Sequence, residues 1–195
     1  MEDILSWKKE NFMYTKCYCE ENIWKLCEKL KGSEILKKSY AVFISNDERR
    51  IPLWNHSGRE DMDYLSIWDY HVILLVKLNE GSYVVDFDTI LGFVLRLEDY
   101  NDQVIRDEEN LADNFKRKFR VIPAASYLEV FASDRSHMLR KDGNDASYLS
   151  PPPPYPPLRS RDSTNNIQEF ISMSDSNEYG EVFDLRGFLR FFGKM

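Results

Sequence analysis

Three cysteines and three histidines are the obvious nucleophiles and bases in this 195-residue chain. Two of the cysteines stand together in Cys17-Tyr18-Cys19, directly ahead of a segment with helical spacing. Ile23, Leu26, Cys27 and Leu30 fall at i, i+3, i+4 and i+7, so residues 20–30 are expected to form a helix with one apolar stripe. Carried back one turn, the stripe places Cys19 at the helix N-terminus on the side that faces the protein body. There the free backbone N–H groups and the positive end of the helix favour thiolate over thiol. No Ser, Thr, Asp or Asn occupies the cap position, which leaves those amides available to a thiolate and then to an oxyanion. Glu20 and Glu21 work the other way and raise the thiol pKa, so Cys19 needs a cationic or basic partner. Cys17, two residues before the helix, has a weaker claim on its dipole, and Cys27 on the core stripe reads as a small buried hydrophobe.

His71 is the candidate partner, set in a mostly apolar run at residues 67–76. A histidine in such a run is commonly a satisfied core residue; Asp86 on the next expected strand gives it a second reading. With a four-residue loop at 77–80, position 71 lies opposite position 86, and an imidazole and a carboxylate meet on one face. With the two-residue loop Glu80-Gly81, position 71 faces position 90 instead. Periodicity leaves the register open, and it leaves Asp88 as the rival to Asp86. A carboxylate that orients an imidazole, which in turn activates a thiol, is the logic of a Cys-His-Asp triad.

The elements that must position these groups can be read around them. Residues 40–45 and 50–54 flank a polar turn and read as a hairpin. The run 67–76 reads as one buried central strand, and 82–88 as its partner across Asn79-Glu80-Gly81. Residues 107–115 suggest a charged surface helix, 119–122 a strand, and Ser126 to Glu129 the start of a short helix by capping-box spacing. Residues 142–150 are loop-like, and Pro151-Pro152-Pro153-Pro154-Tyr155-Pro156-Pro157 is expected to be extended polyproline II. Residues 166–171 and 184–192 look helical, with Gly193 as a stop. About 40 residues after the proline run are too few for an independent unit without staples. Residues 1–195 are therefore expected to be a single catalytic domain with residues 151–157 as a strap within it.

Composition narrows the function classes. Apolar residues at 43% and aromatics at 14% suit a folded core, and a net charge of −7 argues against nucleic acid as a partner. No run reaches the ~20 apolar residues of a membrane helix, and residues 1–10 lack the apolar core of a secretory leader. An odd number of cysteines does not make a disulfide framework, so a reducing, intracellular setting is expected. Cys17 and Cys19 lack CxxC spacing, and His56, His71 and His137 sit in unrelated sequence contexts, so no metal site is expected.

The same residues carry a family resemblance. Cys17-Tyr18-Cys19-Glu20-Glu21-Asn22-Ile23-Trp24-Lys25-Leu26-Cys27 and Ile67-Trp68-Asp69-Tyr70-His71-Val72 resemble signatures of the N-terminal glutamine amidohydrolase family. Asp86-Phe87-Asp88-Thr89, Lys118-Phe119-Arg120-Val121-Ile122, Phe131-Ala132-Ser133-Asp134-Arg135-Ser136-His137-Met138 and the proline run follow in order, spanning about residues 14–192. The resemblance implies an α+β, papain-like or transglutaminase-like cysteine hydrolase fold, a central antiparallel sheet flanked by helices. It carries the nucleophile to Cys19, the base to His71 and the orienting carboxylate to Asp86.

What the family implies is deamidation of N-terminal glutamine to glutamate on proteins and peptides, with release of ammonia and no cofactor. The product is a secondary destabilising residue of the N-degron pathway. A cytoplasmic location, extending to the nucleus, is expected, and a monomer is the default for a soluble enzyme acting on chain ends; charge and hydropathy speak against nucleic-acid and membrane partners. A terminus-specific enzyme must read the α-ammonium, for which Asp69 and Glu20 are candidates, with Trp68 and Tyr18 as pocket walls. Ordinary packing is the alternative for all four. His137 and Asp134 are left outside the site, since an Asp-Arg pair beside a helix end reads as a structural clamp. Rival functions are a papain-like protease or transglutaminase with the same triad, and a non-catalytic adaptor that binds WW or SH3 domains through Pro151 to Tyr155.

Overall fold

The most apolar runs of the chain become neighbouring strands at the centre of one sheet. The computed structural model describes residues 4–56, 65–140, 147–174, 176 and 178–193. In chain order, helix α1 (Cys19–Lys29) and the short α2 (Glu34–Lys37) precede strands β1 (Ser39–Ser45), β2 (Ile51–Leu53), β3 (Ser66–Trp68), β4 (His71–Leu78), β5 (Gly81–Val85) and β6 (Val94–Arg96). Helix α3 (Leu97–Tyr100), strand β7 (Lys118–Pro123), helices α4 (Ala124–Val130) and α5 (Ile167–Ile171), strand β8 (Glu181–Asp184) and helix α6 (Leu185–Phe192) complete the order. The main sheet has six strands in the order β6-β5-β4-β1-β7-β8, and every pair is antiparallel. The fold is α+β, with helices over the faces of this sheet.

Burial on both faces explains the composition of the central strands. Val72, Leu74 and Val76 of β4 point into a core shared with Ile23, Leu26 and Cys27 of α1. Ile73 and Leu75 point into a second core with Tyr100 of α3 and Phe188 and Phe192 of α6. The segment after the proline run supplies β8 and α6 to the same sheet and core. None of the described helices is long and apolar enough to cross a membrane.

Several local expectations change. Strands β1 and β2 do not form a hairpin: β1 is flanked by β4 and β7, and β2 pairs with β3 in a separate two-stranded sheet. The run 67–76 is not one strand but breaks at Asp69 and Tyr70, so that β3 joins the small sheet and His71 opens β4. Residues 107–115 form turns with only the 3-10 turn Asp113–Phe115. Helix α4 starts two residues before Ser126, with Pro123 at its cap. Asp184 is the cap of α6 rather than its first residue and accepts the Gly187 N–H, and Gly193 ends the helix as expected, in an extended rather than left-handed conformation.

The β4–β5 turn is neither the four-residue loop 77–80 nor the two-residue loop Glu80-Gly81. Leu78 pairs with Gly81 and Leu74 with Val85, so the loop is Asn79-Glu80 and the register, if continued, sets His71 opposite Asp88. Gly81 takes φ 154° directly after this turn, a conformation that side chains disfavour. The ladder ends at Val85, and the chain carrying Asp86 and Asp88 leaves the sheet.

Candidate active site

Cys19 is the first residue of α1, beneath a cleft of about 600 Å3 whose wall includes Cys17, Trp68, Asp69, Tyr70 and His137. Tyr18 at the cap makes no side-chain bond to the first turn, so the amides at this end keep their donors, as the sequence implied. The Val72 backbone amide acts on the Cys19 sulfur in the direction that favours its thiolate. Lys77 N–H points to the β1 side, where it donates to Lys38 O, so in the alternating strand Val72 faces the side that β5 has vacated. Cys19 therefore lies against the start of β4, whose first residue is His71.

Burial pushes the Cys19 thiol well above its ordinary pKa, and Glu20 and Asp88 add to the rise while the Val72 amide opposes it. The thiol donates weakly to Glu20 Oε2 at 3.7 Å. Of its rivals, Cys17 is exposed in a turn at φ 68°, and Cys27 is buried, its thiol also pushed up by desolvation.

His71 is fully buried, with Nε2 3.0 Å from Asp86 Oδ1, while Nδ1 makes no hydrogen bond among the described residues. Asp86 also accepts the Tyr100 hydroxyl on Oδ2 at 2.8 Å and the Asp88 N–H on Oδ1 at 2.9 Å. Burial alone would raise the Asp86 pKa, but His71 and His56 hold it well below the carboxylate range. Burial likewise opposes a charged His71, yet Asp86, with Asp88 and Glu20 beyond it, raises the imidazole pKa. Asp88 makes no hydrogen bond to His71 among the described residues; its Oδ1 accepts the Tyr14 hydroxyl at 2.7 Å. Asp86, not Asp88, is thus the residue paired with His71.

The four expected pocket residues separate into two pairs. Trp68 and Asp69 line the cleft, and Asp69 is exposed there, its Oδ1 accepting the Tyr70 N–H at 2.9 Å. Tyr18 and Glu20 are fully buried and do not line it. The Tyr18 hydroxyl donates to Ser150 O, and Glu20 accepts the Tyr70 hydroxyl at 3.0 Å with His137 3.5 Å from its other oxygen.

His137, which sequence reasoning left out, is on the cleft wall, as are Arg49 and Gln168. His137 lies in the signature run 131–138, whereas nothing in the sequence contexts of Arg49 and Gln168 marks them; segments far apart in the chain bring the three to one wall. Asp134 stays outside the lining, and its neighbour Arg135 is the clamp: it binds Glu21 through two nitrogens at 2.8 Å each and donates to the Pro153 and Tyr155 carbonyls. A larger cleft of about 900 Å3, lined by Glu108, Lys116 and Asp184 among others, contains none of these candidate residues.

His56, His71 and Asp86 form one three-residue set of potential metal ligands among the described residues. Both Asp86 oxygens already accept hydrogen bonds from Tyr100, the Asp88 amide and His71, which is the pattern of an orienting carboxylate. The arrangement as a whole offers a thiol at a helix N-terminus, backbone donors for an oxyanion, and a carboxylate-held imidazole with its second nitrogen unpaired.

Comparison with known proteins gives this geometry a context. The N-terminal glutamine amidase family matches residues 14–192. The chain is 46% identical over 184 residues to a protein N-terminal glutamine amidohydrolase from Danio rerio, covering 93% of this chain and 89% of that protein. It is 45% identical to the protein of the same name from Homo sapiens, over 93% of this chain and 88% of that one. For the one from Drosophila melanogaster the identity is 42%, over 98% and 94%. A match that spans nearly the whole chain and includes Cys19, His71 and Asp86 settles the grouping: this chain belongs to the N-terminal glutamine amidase family.

Proposed function

We propose that this chain hydrolyses the side-chain amide of N-terminal glutamine on proteins and peptides, through Cys19, His71 and Asp86. The observation that carries the mechanism is the 3.0 Å pairing of His71 Nε2 with Asp86 Oδ1, which leaves Nδ1 free to act on a thiol at the start of α1. A nucleophile at a helix N-terminus packed on an antiparallel sheet that carries the base also suits a papain-like or transglutaminase-like scaffold, working as one catalytic domain.

In the first half-reaction, Cys19 Sγ bonds to the side-chain amide carbon and its proton passes to His71 Nδ1. The amide oxygen gathers negative charge against the N–H groups at the start of α1. The C–N bond then breaks, and the proton on His71 leaves with the nitrogen as ammonia. Water adds to the resulting thioester, gives its proton to His71, and the sulfur departs, taking that proton back as a thiol. Asp86 stays ionised throughout and holds the ring.

Terminus selectivity falls to Asp69, whose exposed carboxylate on the cleft wall can pair with an α-ammonium beside the Trp68 indole. Glu20, buried and already paired with Tyr70, instead tunes the thiol. The adaptor reading is disfavoured because Tyr155 is tied down, with Arg135 bonded to its carbonyl and Lys25 4.5 Å over its ring.

The test is ammonia release from three peptides that differ in one feature each. Gln-initiated peptide should react, while N-acetylated Gln peptide and a peptide with internal glutamine only should not. Equal release from internal glutamine, or cleavage of a peptide bond, would refute the assignment.

A further inference from the structure

His56 has no part in the chemistry above, yet its ring is fully buried against Asp86. Its Nε2 lies 3.2 Å from Asp86 Oδ2, bent away from a straight hydrogen bond, on the same oxygen that accepts from Tyr100. The ring also stands edge-on to His71, with centroids 4.8 Å apart and planes at 79°, and Trp68 packs against both rings at 5.6 and 5.0 Å. We propose that His56 is a positioning residue for the His71–Asp86 couple: it seats the carboxylate on one side and sets the plane of the imidazole on the other.

The backbone supports this assignment. His56 bridges Thr89, three residues beyond Asp86, and the Thr89 hydroxyl and the Ile90 N–H both donate to Asn55 O. On the other side Trp54 N–H donates to Val104 O, and the Asn55 side chain donates to Gln103 O. The segment is therefore fixed to the loop that carries Asp86 and to the turn after Tyr100. An imidazole held from two sides has one plane available, and that plane points Nε2 at Asp86 and leaves Nδ1 for the thiol.

The groups that face His56 are Asp86, His71 from β4 and the Trp68 indole from β3, with the Tyr100 hydroxyl of α3 reached through Asp86. Asp88 and Glu20 are the other charges acting on His71. Removing His56 leaves Asp86 Oδ2 with fewer partners and its negative charge freer to stabilise a protonated His71. The free-base form of His71 then requires a higher pH.

The inference rests on the catalytic reading above, so the test includes controls for it. His56→Phe keeps a ring and removes the carboxylate contact; His56→Gln keeps a donor and removes the ring; His56→Met serves if Phe does not fold. For Phe or Met we expect kcat on a Gln-initiated peptide to fall by about 10- to 100-fold with KM nearly unchanged, and the acid limb of kcat/KM to move to higher pH. In His56→Gln the acid limb should return toward wild type. A folded Phe or Met variant with wild-type kcat and acid limb overturns the inference, as does a loss of thermal stability with kcat per folded molecule unchanged. Cys19→Ser and His71→Ala are measured alongside: if either stays active, the catalytic reading fails and takes the inference with it; if both are inactive, the result for His56 stands alone.

Discussion

His71 and Asp86 meet at 3.0 Å although the β4–β5 register places them two positions apart. The contact is possible because β5 ends at Val85, and the chain beyond it carries the Asp86 carboxylate to the first residue of β4. The residue that the register sets opposite His71 is Asp88, which is bonded to Tyr14 instead. The pairing thus depends on where a strand stops as much as on its phase.

That pairing dictates a pH dependence. The net effect of Asp86 on buried His71 is to raise its pKa above the ordinary 6.5. His71 must be free base to take the thiol proton, so activity is lost as pH falls through the raised value. We expect the acid limb of kcat/KM to have a midpoint above 6.5. Asp86→Asn should move that midpoint down and cut kcat by roughly 10³- to 10⁴-fold, as loss of an orienting carboxylate does in related triads. A pH-rate profile of both proteins checks the sign.

How far the sequence foretold this site follows from the range of the interactions. The position of Cys19 follows from the local spacing of Ile23, Leu26, Cys27 and Leu30, and α1 begins at Cys19. The pairing of His71 with Asp86 was legible as residue types, but the loop that sets the register was not: neither loop weighed is the one formed. The break at Asp69-Tyr70 was hidden because both halves of the run are apolar, and only the pairing of β2 with β3 separates them. His56 and Tyr100 reach Asp86 from 30 residues before it and 14 after it, and no local pattern encodes such a meeting. Glu21 and Arg135 are 114 positions apart; the clamp character of Arg135 was legible, its partner was not.

Glu20 raises the Cys19 pKa and accepts from its thiol, so neutralising it should make the sulfur more acidic. Glu20→Gln is expected to lower the midpoint for alkylation of Cys19 by iodoacetamide and to speed its modification at neutral pH. Mass mapping of the alkylated peptide as a function of pH measures it. An unchanged or higher midpoint would remove Glu20 from the account of the thiol.

Arg135 and Glu21 form a buried pair, with side chains 4% and 0% exposed. Arg135→Met leaves Glu21 buried without its cation and also frees the Pro153 and Tyr155 carbonyls. The expected loss is about 3–5 kcal/mol of unfolding free energy by urea titration. Adding Glu21→Gln should recover part of it, because an amide is cheaper than a carboxylate to leave buried.

Asp69 is assigned to the α-ammonium and makes no contact with the reacting amide. Asp69→Asn should raise KM for Gln-initiated peptides by about tenfold or more and change kcat much less, since a charge-assisted bond is worth roughly 1.5–3 kcal/mol. Steady-state kinetics on one peptide separates the two constants. A fall in kcat at constant KM would move Asp69 from binding to chemistry.

In the proposed reaction Cys19 forms a thioester with the substrate. Acid quenching of wild-type enzyme during turnover of a Gln-initiated peptide, followed by digestion and mass spectrometry, reads it directly. A fraction of the Cys19-containing fragment should be heavier by the substrate minus one ammonia, and this adduct should be absent in Cys19→Ser, which should also be inactive. An adduct on Cys17 or Cys27, or turnover that survives Cys19→Ser, would contradict it.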